Sequence, residues 1–150
     1  MRIRNTTSAK FARGILFSAL LTSGAAQAAG ITITHGWIRA LPANVPSGGY
    51  FELSNDSGKR VVLTGAESSA CGMLMLHKTD TESGMASMSD VTSIPVAVGG
   101  HVSFSPGSYH LMCMNPTAEI KPGNKVPVTL VFADGAKVTS EFVVRNATGR

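Results

Sequence analysis

Two histidines and a group of methionines stand where they could hold a soft metal ion. The run Cys71-Gly72-Met73-Leu74-Met75-Leu76-His77 leads into a polar segment carrying Met85 and Met88. The chain then returns through Tyr109-His110-Leu111-Met112-Cys113-Met114. Residues two apart on a β-strand share a face. Met73, Met75 and His77 therefore point one way, and His110, Met112 and Met114 point one way on another strand. If the two strands are neighbours, one surface gathers two imidazoles and several thioethers, a donor set suited above all to Cu(I). Methionine alternating with leucine is also an ordinary way to fill a core, and packing is the leading reading of Met73, Met75 and Met114.

The elements that must position these residues read as strands. Apolar runs are short, turn signals are frequent (Gly48-Gly49, Asn55-Asp56-Ser57-Gly58, Gly99-Gly100, Pro106-Gly107, Pro122-Gly123, Asp134-Gly135), and no segment has a helical period. Such spacing predicts an all-β sandwich or barrel, with strands near 31–39, 49–55, 60–67, 70–78, 100–105, 107–114, 124–133 and 136–145. The last hairpin can be read in register. A two-residue loop would set Phe132 against Lys137 and Val128 against Glu141, driving charges into the core. A three-residue loop, Ala133-Asp134-Gly135, pairs Leu130 with Val138 and Val126 with Phe142, so the hydrophobic pattern selects it, with Gly135 left-handed in a G1 bulge. Trp37 falls on the parity of Ile31, Ile33 and Arg39 and reads as core or sheet-edge packing. His35 reads as a half-exposed strand residue and His101 as a solvated turn residue. The segment from Thr79 to Asp90, rich in Ser, Thr and Gly, reads as a mobile loop.

Residues 1–28 read as an export signal. Arg2, Arg4, Lys10 and Arg13 form a basic start, Gly14 to Leu21 is apolar but too short to span a bilayer, and Ala26-Gln27-Ala28 is a cleavage pattern. No lipobox cysteine is present, the only cysteines being Cys71 and Cys113. The domain is then 29–150, a single unit without linker or repeat, exported and not inserted in the membrane after cleavage. Four of the 13 basic residues lie in the signal, leaving nine against nine acidic ones. A neutral domain offers no electrostatic argument for nucleic acid or an anionic membrane. No nucleophile elbow, paired-carboxylate motif or phosphate loop is present, so the chain does not read as an enzyme.

The spacing is His77, ten residues, Met88, twenty-one residues, His110, one residue, Met112. It resembles the H-x10-M-x21-H-x-M signature of the periplasmic copper chaperones of the PCuAC family at all four positions. Trp37-Ile38-Arg39-Ala40, Gly48-Gly49-Tyr50-Phe51-Glu52-Leu53-Ser54-Asn55, Pro106-Gly107-Ser108-Tyr109-His110-Leu111-Met112 and the closing hairpin after Lys121-Pro122-Gly123 are similar to further stretches of that family. Many members carry a methionine directly after the first histidine, where this chain has Lys78. The resemblance implies a cupredoxin-like β-sandwich with Greek-key character and an exposed Cu(I) site at His77, Met88, His110 and Met112, with Cu(II) left open. It also implies a periplasmic role in cytochrome oxidase assembly, delivering copper to the oxidase subunit carrying the CuA centre or to a Sco-type protein. The residues suit a carrier on their own terms, because neutral imidazole and thioether hold Cu(I) without a charged thiolate.

Two other readings stay open at the level of sequence. An electron-transfer blue-copper protein would need a cysteine thiolate with two histidines. Cys113 is near His110 and Met112 but has the opposite strand parity. A copper-storage or copper-resistance protein, or a metal-free sandwich with a methionine-rich face, would show the same composition. The cysteines pose a conflict of their own. An exported protein with one cysteine pair normally oxidises it, yet a regular ladder that faces His77 toward His110 puts Cys71 and Cys113 on opposite faces. We expect the disulfide, with a bulge or break at Gly72, where a glycine inside a strand permits one.

Overall fold

A computed structural model describes residues 28–42, 45–81 and 84–150. The signal segment expected at 1–28 lies outside the described residues but for Ala28. Ten strands follow in order: β1 (Ile31–Arg39), β2 (Ser47–Asn55), β3 (Val61–Glu67), β4 (Cys71–Asp80), β5 (Ser87–Asp90), β6 (Ile94–Val96), β7 (His101–Phe104), β8 (Tyr109–Pro116), β9 (Lys125–Phe132) and β10 (Lys137–Arg145). Among the described residues no helix is long and apolar enough to cross a membrane. The strands form one sheet, ordered β5-β4-β8-β7-β2-β1-β10-β9-β3-β6, and β8 pairs with β2 as well. β3 packs against β4 without being its ladder neighbour. The sheet therefore curls on itself and encloses a core that includes Phe51, Phe104, Phe142, Leu53, Leu111 and Leu130.

The closing hairpin has the expected register. Leu130 pairs with Val138 and Val126 with Phe142, and Gly135 has φ +83°. A side chain is disfavoured in that left-handed region, so glycine closes the bulge. Lys59 Nζ lies 2.9 Å from Asp134 Oδ2 in this turn, and that hydrogen bond holds the Asp134 carboxyl below its usual range.

Strand β1 departs from simple alternation. Its register against β2 slips between Thr34 and Trp37, and His35 has φ +54°. The extra residue inverts the parity that follows. Ile31 and Ile38 are buried, while Trp37 leaves the parity of Ile31 and Ile33. It packs on the outer side against Tyr50, ring centroids 4.5 Å apart, with the Arg145 guanidinium 5.0 Å from its ring. His35 is exposed on the bulge, not half-buried in the strand. A bulge carries no hydrophobic signature, so alternation alone could not reveal it.

Two short strands, β5 and β6, were not expected. Within the segment read as a mobile loop, residues 79–80 end β4 and residues 87–90 form the edge strand β5. All four residues of β5 are exposed, so no apolar alternation marks it. Its backbone is ordered by the ladder with β4.

Candidate metal centre

The register of three adjacent strands assembles the site. β8 lies between β4 and β2, and β4 lies between β8 and the edge strand β5. Across β4 and β8, His77 is directly opposite His110, Met75 opposite Met112 and Met73 opposite Met114. Across β4 and β5, His77 is opposite Asp90 and Thr79 opposite Met88. Directly paired residues share a sheet face, and Thr79 shares the parity of His77. His77, Met88, His110 and Met112 therefore stand on one face. Leu74, Leu76, Leu111 and Cys113 are buried on the other.

The imidazoles are held for a ligand they do not find within the chain. Their ring centroids are 5.7 Å apart, edge to face. His110 is 4% exposed. Its Nδ1 lies 3.1 Å from the Ser108 carbonyl oxygen. A carbonyl only accepts, so Nδ1 carries the proton and Nε2 of the neutral ring bears a lone pair. That Nε2 is buried without a hydrogen-bond partner, and so are both ring nitrogens of His77. Asp90 Oδ1 stands 2.9 Å from His77 Nε2, but it makes no directed hydrogen bond to that nitrogen. Buried polar atoms in folded proteins are nearly always paired, so His110 Nε2 and His77 Nδ1, both buried without a hydrogen-bond partner, point to a missing electrophile. A soft metal ion fits, because the neighbouring donors on the face are thioethers and no charged thiolate is present.

A cleft of about 360 Å³ opens over this face, lined by Met88, His110, Met112, Thr79, Tyr50 and Arg39 among others. Gly48 keeps it open. It pairs with Met112, and a Cβ at that position would come within 2.5 Å of the Tyr50 hydroxyl. Met88 is 63% exposed, on the outermost strand of the sheet, whereas His110 and Met112 sit on an interior strand. Arg39 carries its guanidinium 5.7 Å from both the Trp37 and Tyr50 rings, and its Nε is buried without a partner. Asp90, Tyr50 and Arg39 were not singled out as site residues. Asp90 shares the parity of Met88, a signal that exists only once β5 is known to be a strand.

The other histidines lie elsewhere. His101, exposed, has its Nδ1 2.9 Å from Ser54 Oγ, in keeping with a solvated residue. Among the described residues no three His, Cys, Asp or Glu side chains are grouped to hold a metal ion.

Cys71 and Cys113 form the expected disulfide, Cα atoms 5.4 Å apart. The parity conflict is resolved by a break without a register shift. Pairing stays in step from Cys71–Pro116 to Lys78–Tyr109, yet Gly72 and Asn115 do not pair, and Asn115 has φ +48°. The ladder is interrupted at that level, and Cys71 beyond it is buried with the core. Cys113 is fully buried and bonded, so the histidine face has no thiolate, and a blue-copper centre lacks its defining ligand.

Comparison with known proteins bears on the family and the fold. The LpqE-like lipoprotein family model matches residues 31–144. A relative from Leifsonia xyli subsp. xyli, named as the lipoprotein Lxx21020, is 28% identical over 98% of this chain and 92% of its own length. The solution structure of Cu(I)-bound DR1885 from Deinococcus radiodurans is 31% identical, with a TM-score of 0.61 over 80% of this chain and 81% of that one. The copper-bound PCuAC domain from PmoF2 superposes with a TM-score of 0.64 at 22% identity, covering 78% of this chain and 93% of that domain. The expected cupredoxin-like β fold is the fold of these domains.

Proposed function

From the premise that this chain belongs to the LpqE-like family, of PCuAC type, we propose that it is a copper chaperone. It carries one Cu(I) at His77, Met88, His110 and Met112 and passes it to a protein acceptor. The observation that carries the reading is the pair of buried imidazole nitrogens without partners, His110 Nε2 and His77 Nδ1, on the sheet face that also bears Met88 and Met112. The Ser108 carbonyl fixes the His110 tautomer so that Nε2 is the donor, a role commonly played by groups behind a metal ligand. Asp90 favours the proton on His77 Nε2 and so leaves Nδ1 as the donor nitrogen. Holding and release divide between strands. His110 and Met112 stay on the interior ladder, while Met88 on the edge strand is the ligand that leaves first when an acceptor approaches through the cleft. Thioethers need no deprotonation, so uptake depends on pH through the histidines. Export to the periplasm, and delivery to the CuA-bearing subunit of cytochrome oxidase or to a Sco-type protein, belong to the same proposal and rest on the family resemblance.

The test is Cu(I) competition against a chromophoric chelator. Replacing His110 and Met112 together with alanine should abolish tight binding while circular dichroism still reports the folded sandwich. Met88→Ala should leave stability within about 0.5 kcal/mol, as for an exposed side chain, and speed the loss of Cu(I) to the chelator. Undiminished affinity in the double variant would overturn the ligand assignment.

A further inference from the structure

We propose that the same sheet face carries a second soft-metal site, formed by Met73, Met75 and Met114, for a thiophilic monovalent ion of the Cu(I) or Ag(I) class. Met73 is directly opposite Met114, and Met75 is opposite Met112 on the next rung toward the histidines. Directly opposed Cβ atoms stand about 4.5–5.5 Å apart. Rungs on one face repeat at about 7 Å along a strand. Methionine has three rotatable bonds and a polarizable sulfur, so three thioethers placed this way can converge on one ion.

Packing does not account for them. Met73 is 58% exposed, and Met75 and Met114 are half-buried, whereas the core-facing positions of the same strands hold Leu74, Leu76, Leu111 and Cys113. Met73 and Met75 also line a hollow of about 370 Å³ beside β3. Directly behind this end of the strand pair, the Cys71–Cys113 bond ties β4 to β8 and fixes the spacing of the rungs. No free thiol is present to outcompete the thioethers. A neutral all-thioether set suits a soft monovalent ion and discriminates against zinc, which wants thiolate or imidazole.

Its place on the ladder gives the site a use. Met75 and Met112 stand between the Met73–Met114 rung and the histidine pair, and Met112 is itself a proposed ligand of the first site. An ion caught at Met73 and Met114 is two rungs from the histidine pair, with Met75 and Met112 on the rung between, and can step along them toward it. This role as an entry site rests on the carrier reading, whereas the ability to bind the ion does not.

The experiment uses the disulfide-intact protein with ¹³C-methyl methionine, titrated with Ag(I), which has the d¹⁰ configuration of Cu(I) and undergoes no redox chemistry here. Methionine methyl and histidine ring resonances are followed through two equivalents. The first equivalent should move the His77 and His110 rings with Met88 and Met112. The second should move Met73, Met75 and Met114. Met73→Leu with Met114→Leu, a volume-conserving pair of changes on a partly exposed face, should abolish the second equivalent and spare the first. Methyls of Met73 and Met114 that stay unmoved at two equivalents, or a second equivalent retained in the leucine variant, would overturn the thioether site and leave the histidine site standing. Histidine rings that stay unmoved while Met73 and Met114 respond would do the reverse. They would support the thioether site and count against the proposed function.

Discussion

Strands β9 and β10 turn Val126, Val128, Leu130, Phe132, Val138, Phe142 and Val144 inward, all buried. Their outward positions are those of a solvated sheet, with Thr129 and Thr139 hydroxyls hydrogen-bonded at 2.7 Å and Lys125 and Glu141 exposed. Strands β4 and β8 do the same inward with Leu74, Leu76 and Leu111. Their outward positions carry Met73, Met75, His77, His110, Met112 and Met114. Both pairs are antiparallel, and the inward faces of both build the core. The difference lies on the outward faces. One is polar and satisfied, as at Thr129 and Thr139. The other is soft, partly apolar and left with unpaired nitrogens. Stability is thus a property of both pairs, and metal chemistry a property of one face of one pair.

That separation can be broken or sharpened by substitution. The largest effect is expected at the hairpin. Phe142 is fully buried and packs against Phe51 at 5.6 Å. Phe142→Ala should cost about 3–5 kcal/mol, as for a phenylalanine removed from a core, measured by urea unfolding. Cu(I) affinity of the folded fraction should be unchanged, and a parallel fall would show that the two regions are not separable.

Next comes the link behind the metal face. Replacing Cys71 and Cys113 with alanine opens a loop whose ends are 42 residues apart, which the chain-entropy model values at about 3–4 kcal/mol. Thermal unfolding of the variant should show that loss, while chelator competition should report copper retained at the histidine pair. Copper loss on removal of the bond would mean that the interior ladder cannot hold the site alone.

The smallest effect on the fold should come from the metal face itself. The Asp90 carboxylate is 72% exposed, so Asp90→Asn should move stability by no more than about 0.5 kcal/mol. It should still weaken Cu(I) binding about tenfold, the low end for groups that orient a metal ligand. Equal affinity in the variant would remove Asp90 from the site and leave His77 held by packing alone.

How much of this was legible depended on the physical signal each part leaves. The β9–β10 register was readable because a one-residue slip would have buried Lys137 and Glu141. The sharing of a face by Met73, Met75 and His77, and by His110, Met112 and Met114, followed from the period of two. The disulfide followed from the cysteine count in a chain read as exported and the interruption at Gly72 from strand parity, whereas only the structure shows that the break leaves the register unshifted. Trp37 was placed on the wrong parity because the bulge at His35 has no compositional mark. Met88 reads as a loop residue because β5 is exposed on both faces.

The chain by itself therefore determined which side chains face together along the regular stretches of β4, β8, β9 and β10 and which core-facing positions set the register of the last hairpin, since both follow from local geometry and the cost of burying charge. Which strands became neighbours was decided only by the tertiary structure. His77 faces His110 because β4 lies beside β8, and Asp90 reaches His77 because β5 adds to the edge of β4. Backbone hydrogen bonding of that kind is open to any sequence, so nothing in the residues of an exposed edge strand announces its partner. The unpaired nitrogens of the site, likewise, exist only after the fold has shut water away from them.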